Sequence, residues 1–114
     1  MPVTRWSDHI AIVEFGDEPQ FSEDIGAFAR LLEDEQGLEP SAVFDFSRVT
    51  YLNSSNMASL LKLRKRLGSS GRQLRLCAVN DPVWGLFMTA SLDKLFEFVP
   101  DVSTALASIQ LKAS

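Results

Sequence analysis

The chain has 114 residues, 46% of them hydrophobic, with eight phenylalanines and a net charge of −4, which suits one folded domain with a real core. A single cysteine, Cys77, and a single histidine, His9, exclude a disulfide framework, a multi-cysteine metal site and most histidine-based chemistry. Carboxylates crowd the first 45 residues, whereas Lys62, Arg64, Lys65, Arg66, Arg72 and Arg75 form a basic run; lacking interleaved aromatics, that run reads as a helix's polar face, and no nucleic acid is expected as a partner.

The first element in the chain is "HIAIVEFG" (9–16), an alternating, β-branched run that argues a strand, ended by Gly16 and Pro19. Ser22 is then the expected cap of a helix whose apolar face is Ile25, Phe28, Leu31 and Leu32, closed by Gly37. "SAVFDFS" (41–47) has the continuous apolar character of a strand buried on both faces. The polar turn "NSSN" (53–56) leads into "MASLLKLRKRLG", a helix with Met57, Leu60, Leu61 and Leu67 near one stripe and Gly68 and Gly71 at its end.

"QLRLCAV" (73–79) is the next strand, in which Cys77 reads as a small core residue. Pro82 suits the start of a short helix, where Trp84, Phe87 and Met88 read as core rather than as a ligand lid. "LFEFV" (95–99) is a last strand, and Asp101 caps a closing helix. The order β-α-β-α-β-α-β-α predicts a single α/β domain over residues 1–114, with a mixed, largely parallel sheet of four or five strands and about four helices.

No segment approaches the roughly 18 apolar residues of a membrane span, so no membrane insertion is expected. Acidic residues among the first twenty argue against a secretory leader, and a bacterial-type cytoplasmic location is the default expectation. Glycine-rich phosphate loops and a serine-nucleophile elbow are missing, and Ser55 has no evident base to activate it. A phospho-receiver built on Asp45, with Asp17 and Glu18 as its acidic pair, lacks the lysine it needs after the last strand. The expectation is therefore a protein that is not an enzyme and needs no cofactor or metal.

Two stretches, "VFDFSRVTYLNSSNMASLLKLRKRLGSSGRQLRLCAV" and "SLDKLFEFV", together resemble the STAS domain of the anti-sigma factor antagonists. That family carries an apolar strand, a short linker into Asp-Ser-Ser-Gly and a helix, then a second signature close to Thr-Gly-Leu-Asp-Lys-Leu-Phe-Glu. The resemblance implies a signalling protein that binds an anti-sigma factor serine kinase, or another STAS-binding protein, and is switched off by phosphorylation. It implies Ser55 as the phosphoacceptor, with Ser54 as the second choice, and a partner surface of Asn53, Ser54, Ser55, Asn56, Ser59 and Lys62.

Three positions depart from the family pattern. Asn53 stands for the aspartate, Asn56 for the glycine, and Ser91 for a glycine of the second signature. The alternative implied by these changes is an unphosphorylated STAS scaffold, either a stress-signalling subunit or the accessory subunit of a lipid-transport ATPase. Weak self-association is a further option. Of the two serines, Ser54 is the expected helix cap and Ser55 the expected target.

Overall fold

The computed structural model describes residues 3–113; residues 1, 2 and 114 of the expected single domain lie outside the described residues. In chain order the elements are β1 (Val3–Arg5), β2 (Ile10–Gly16), α1 (Gln20–Asp34), β3 (Ser41–Arg48), α2 (Ser54–Ser69), β4 (Leu74–Cys77), α3 (Asp81–Thr89), β5 (Phe98–Val99) and α4 (Val102–Ala113). The α/β class, the mostly parallel mixed sheet and the four helices agree with the reading of the sequence.

The five strands lie side by side in chain order. β1 pairs antiparallel with β2, and every later neighbour is parallel. Successive right-handed crossovers that step one way along a sheet place their helices on the same face. Accordingly α1, α2 and α3 share the larger core, and α4 covers the other face through Ala105 and Ile109 against Ile10, Val43 and Cys77.

Strand alternation sorts β3 between the two layers. Ala42, Phe44 and Phe46 face the larger core and Val43 faces α4, each with no exposed surface. This explains why its sequence is continuously apolar. Within the larger core Phe15 is stacked on Phe21 at 4.7 Å and edge-on to Phe44 at 5.0 Å. Such pairs add about 1 kcal/mol each beyond the burial of their area.

Four local expectations are corrected. First, β1 is an additional strand; its three residues are largely exposed and show no apolar alternation that would announce it. Second, α1 starts at Gln20, before Ser22, because Glu18 reaches over the helix start and accepts hydrogen bonds from Ser22 N at 2.8 Å and Ser22 Oγ at 2.6 Å. Ser22 thus lies inside the helix, whose N-cap position is Pro19, and is not the cap.

Third, the last strand shrinks to Phe98–Val99, since the chain from Ser91 onward is still turning back from α3. Fourth, Met88 is 50% exposed, while Phe87 is fully buried and Trp84 half-buried against Phe98 at 4.9 Å. Only two of the three expected core residues of α3 therefore pack inward. Cys77 is core as expected, and burial, with smaller contributions from Asp45 and Asp101, pushes its thiol up to about 12.

Candidate functional site

Parallel strands deliver the loops after β2, β3, β4 and β5 to one edge of the sheet. The turn 49–53, which feeds α2, lies there. It is short; Val49 and Leu52 are buried in the larger core, while the backbone groups between them need partners of their own.

Asp17, from the loop after β2, supplies the fixing. One carboxylate oxygen accepts from Thr50 N at 2.8 Å and Tyr51 N at 3.3 Å, and the other accepts the Thr50 hydroxyl. These bonds, led by the one from the Thr50 hydroxyl, hold the Asp17 carboxyl below its ordinary range. From β4's side, Asn80 Nδ2 donates to Val49 O at 2.6 Å, so the turn is tied to loops on both flanks.

The start of α2 is closed by its own asparagines. Asn53 is the N-cap: its side chain accepts from Asn56 N at 2.7 Å, and the Asn56 side chain accepts from Asn53 N at 3.1 Å. This is a capping box with a carboxamide in place of the usual carboxyl partner. Asn56 then spends its Nδ2 on Glu18 at 3.0 Å. The Glu18 carboxyl is held low first by the Ser22 hydroxyl and then by Asn56. Asp17 and Glu18 thereby connect the entry of α1 to the entry of α2.

The expected cap assignment is corrected by this geometry. Asn53 caps α2, and Ser54 and Ser55 are its first two helical residues. Both serines are exposed, and neither hydroxyl is spent on the cap. The unpaired N–H groups and partial positive charge of a helix start surround them.

Of the expected partner surface, Ser54, Ser55 and Lys62 are exposed, and Asn53 and Ser59 are half-buried. Ser55, Ser59 and Lys62 fall on one side of α2 at i, i+4 and i+7. Asn56 is corrected: it is only 3% exposed, since its carboxamide points inward to Asn53 and Glu18, and so it shapes the turn without facing a partner.

Tyr51, 61% exposed beside the serines, joins the outer surface and was absent from the expected set. Asp17 and Glu18 were likewise missed in this role. Their partners around the turn, Thr50, Tyr51 and Asn56, lie more than 30 residues away, and no local pattern signals such a pairing.

Among the described residues no group of three or more His, Cys, Asp or Glu side chains could hold a metal ion, and no helix is long and apolar enough to cross a membrane. Ser91 has φ +60°, the left-handed conformation that its glycine counterpart would adopt without strain.

A family model described as the STAS domain matches residues 2–105. No curated protein matches the chain. Among solved structures, a serine-to-glutamate variant of Moorella thermoacetica RsbS is 16% identical with a TM-score of 0.80, over 100% of both chains. A chain from the stressosome, a signal integration and transduction hub, is 17% identical with a TM-score of 0.78, over 98% of both. The Bacillus anti-sigma factor antagonist SpoIIAA in its phosphorylated form is 12% identical with a TM-score of 0.71, over 94% of this chain and 96% of that one. At such identities the likeness is one of fold.

Proposed function

The chain belongs to the STAS domain family, and on that premise we propose that it is an anti-sigma factor antagonist-like signalling protein whose docking on an anti-sigma factor serine kinase is switched off by phosphorylation of Ser55. It works by binding and not by catalysis, in the cytoplasm. The observation that carries the reading is the placement of Ser55: exposed, in the first turn of α2, and released from capping by Asn53 and Asn56. A phosphate there would add a charge of about −1.5 to −2 next to helix N–H groups that accommodate it, while opposing a partner shaped around a hydroxyl. The likeness to SpoIIAA, whose phosphorylated form has been solved, supports the same reading.

The test is incubation with the kinase encoded in the same gene neighbourhood, mass spectrometry of the product, and binding of that kinase by Ser55→Asp and Ser55→Ala. Phosphate on Ser55, lost binding in Ser55→Asp and retained binding in Ser55→Ala are the expected results. An unmodified Ser55 together with full binding by Ser55→Asp would sink it.

A second reading, an unphosphorylated STAS scaffold, is favoured by one observation. Glu18 holds Asn56 and places a carboxylate beside the residue that follows Ser55, which opposes a phosphate at that turn. The likeness to the stressosome chain points the same way. Under this reading the protein copurifies stoichiometrically with a scaffold or transporter subunit, and Ser55→Asp leaves that complex intact.

A further inference from the structure

At the end of the sheet opposite Ser55, a groove runs from the last turn of α2 to the end of α4. Two cavities form it, of about 490 and 620 Å³, and they meet at Arg72 and Gln73, which line both. The first lies on the α2 side, against the turn 95–97; the second lies at the start of β2 and the last turns of α4. Since α2 and α4 cover opposite faces of the sheet, the groove passes from one face to the other beneath the start of β4. Helix α2 has 16 residues, which puts its two ends about 24 Å apart. The groove is therefore a surface separate from the turn that presents Ser55.

The chain carries a net charge of −4, yet this groove is positive. Arg64, Lys65, Arg72 and Arg75 line the first cavity against Glu97, and Arg72 and Lys112 line the second against Glu39. Both carboxylates are already engaged, Glu97 with Arg75 at 3.5 Å and Glu39 with Arg66 at 3.3 Å. Arg64, Lys65, Arg72 and Lys112 remain, and none of the ion pairs among the described residues includes them. The carbonyls at the end of α2, which would repel an anion, are covered. Leu67 O accepts from Ser70 N at 3.1 Å and Arg72 N at 2.8 Å, and Gly68 O accepts from Gly71 N at 3.1 Å. Arg64 and Arg72 each donate Nε to a backbone carbonyl, of Leu95 and Glu39 respectively, which fixes the side chain and leaves the outer guanidinium nitrogens for an external acceptor.

These cations do not converge on one point but follow the groove from α2 to α4. That suits an occupant whose negative charges are spaced along a chain. Among the described lining residues the only Phe, Tyr or Trp is Phe96, which is 7% exposed, so bases would find no stacking platform. Half-buried Leu74 and exposed Leu95 offer aliphatic surface beside the charges instead. A recess of that kind is reached by side chains and not by a flat lipid surface. We propose that the groove docks an extended acidic peptide segment of a partner protein, with carboxylates on Lys65, Arg72 and Lys112 and apolar side chains against Leu74 and Leu95. Such docking needs no change at Ser55.

A fluorescein-labelled peptide of repeated Asp-Glu-Leu triplets, titrated with the full chain and followed by anisotropy, tests this. Binding should saturate and weaken as salt rises, and amide chemical shifts should move at Gly71, Arg72 and Gln73 while those of Ser54 and Ser55 stay in place. Lys65→Glu and Lys112→Glu, at the two ends of the groove, should each weaken binding about fivefold, the scale of one partly exposed ion pair. Arg30→Glu, on the exposed side of α1, should leave it unchanged. Both substituted lysines are exposed; should either variant fail to fold, judged by circular dichroism, glutamine at the same position gives the reading and should also weaken binding. Absence of saturable binding, or an equal loss in Arg30→Glu, would overturn the proposal. So would tighter binding of oligothymidylate or of phosphatidylglycerol vesicles than of the peptide, or a dimer in sedimentation that both lysine variants abolish, which would give the groove to nucleic acid, a membrane or a second copy of this chain.

Discussion

Asn53 and Asn56 cap each other: each side chain accepts the other's backbone N–H, at 2.7 and 3.1 Å, and this reciprocal pair begins helix α2. The two residues that depart from the family's aspartate and glycine are therefore one structural unit. The glycine position has been filled by a side chain that turns inward, and the exterior of the turn is left to Ser54 and Ser55.

Restoring the family glycine should accordingly cost stability. Asn56→Gly removes half the capping box and the bond to Glu18, and adds a flexible residue to the first turn, for an expected loss of about 1–2 kcal/mol. Asn53→Asp keeps the cap and adds a charge favourable to the helix dipole, so its stability should stay level or rise by about 0.5 kcal/mol. Urea denaturation of both variants would show it. An Asn56→Gly variant as stable as the parent would mean that the box contributes nothing.

The clamp on the turn should release in acid. The carboxyls of Asp17 and Glu18 both lie below their ordinary values of 3.8 and 4.5, by hydrogen bonds led by the Thr50 and Ser22 hydroxyls. A carboxyl that is lowered on folding stabilises the fold fully above its unfolded value and loses that contribution as pH falls through its folded value. The protection factors of the Thr50 and Tyr51 amides, relative to their intrinsic exchange at each pH, should thus be steady from neutrality to the ordinary carboxylate range. Below it, exchange should quicken relative to core amides such as Phe44. Asp17→Asn should show the fast exchange already at neutral pH.

Ser91 offers a stabilising change. Helix α3 ends in a Schellman motif, in which Ser91 N donates to Met88 O at 3.0 Å and Leu92 N to Phe87 O at 2.8 Å, with Ser91 at φ +60°. A side chain in that conformation costs about 1 kcal/mol relative to glycine. Ser91→Gly should raise stability by nearly that amount, read as a higher Tm with binding unaffected. A lower Tm would show that the Ser91 side chain supports the turn.

Cys77 should be inert while the chain is folded. Its thiol is fully buried between β4's neighbours and α4 and is pushed up to about 12. At pH 8 an aromatic disulfide reagent should label it at the rate of unfolding, with immediate labelling in denaturant. Rapid labelling of the native protein would instead reveal local opening of the α4 face.

Much of this protein is written locally. Alternation in 10–16, the apolar run 41–48 and helical spacing in α1 and α2 reflect contacts between near neighbours and one buried face, so the α/β order and the two adjacent serines at a helix start were legible. The short edge strands were less so: β1 has three largely exposed residues and β5 has two, too few for a period to emerge. The cap was in principle readable, because Asn-x-x-Asn is a local pattern, but the serines inside it are equally good caps by composition.

What only the tertiary structure decided is how the turn is held and which of its residues face outward. Asp17 meets Thr50 across 33 residues and Glu18 meets Asn56 across 38. Such pairs form because parallel strands bring successive loops to one edge of the sheet, and a carboxylate in one loop meets donors in the next. Nothing in the spacing of the residues along the chain encodes that meeting. The same holds for Asp24, an ordinary first-turns acid in the sequence, which the packing of α1 on the sheet buries with one oxygen unmatched.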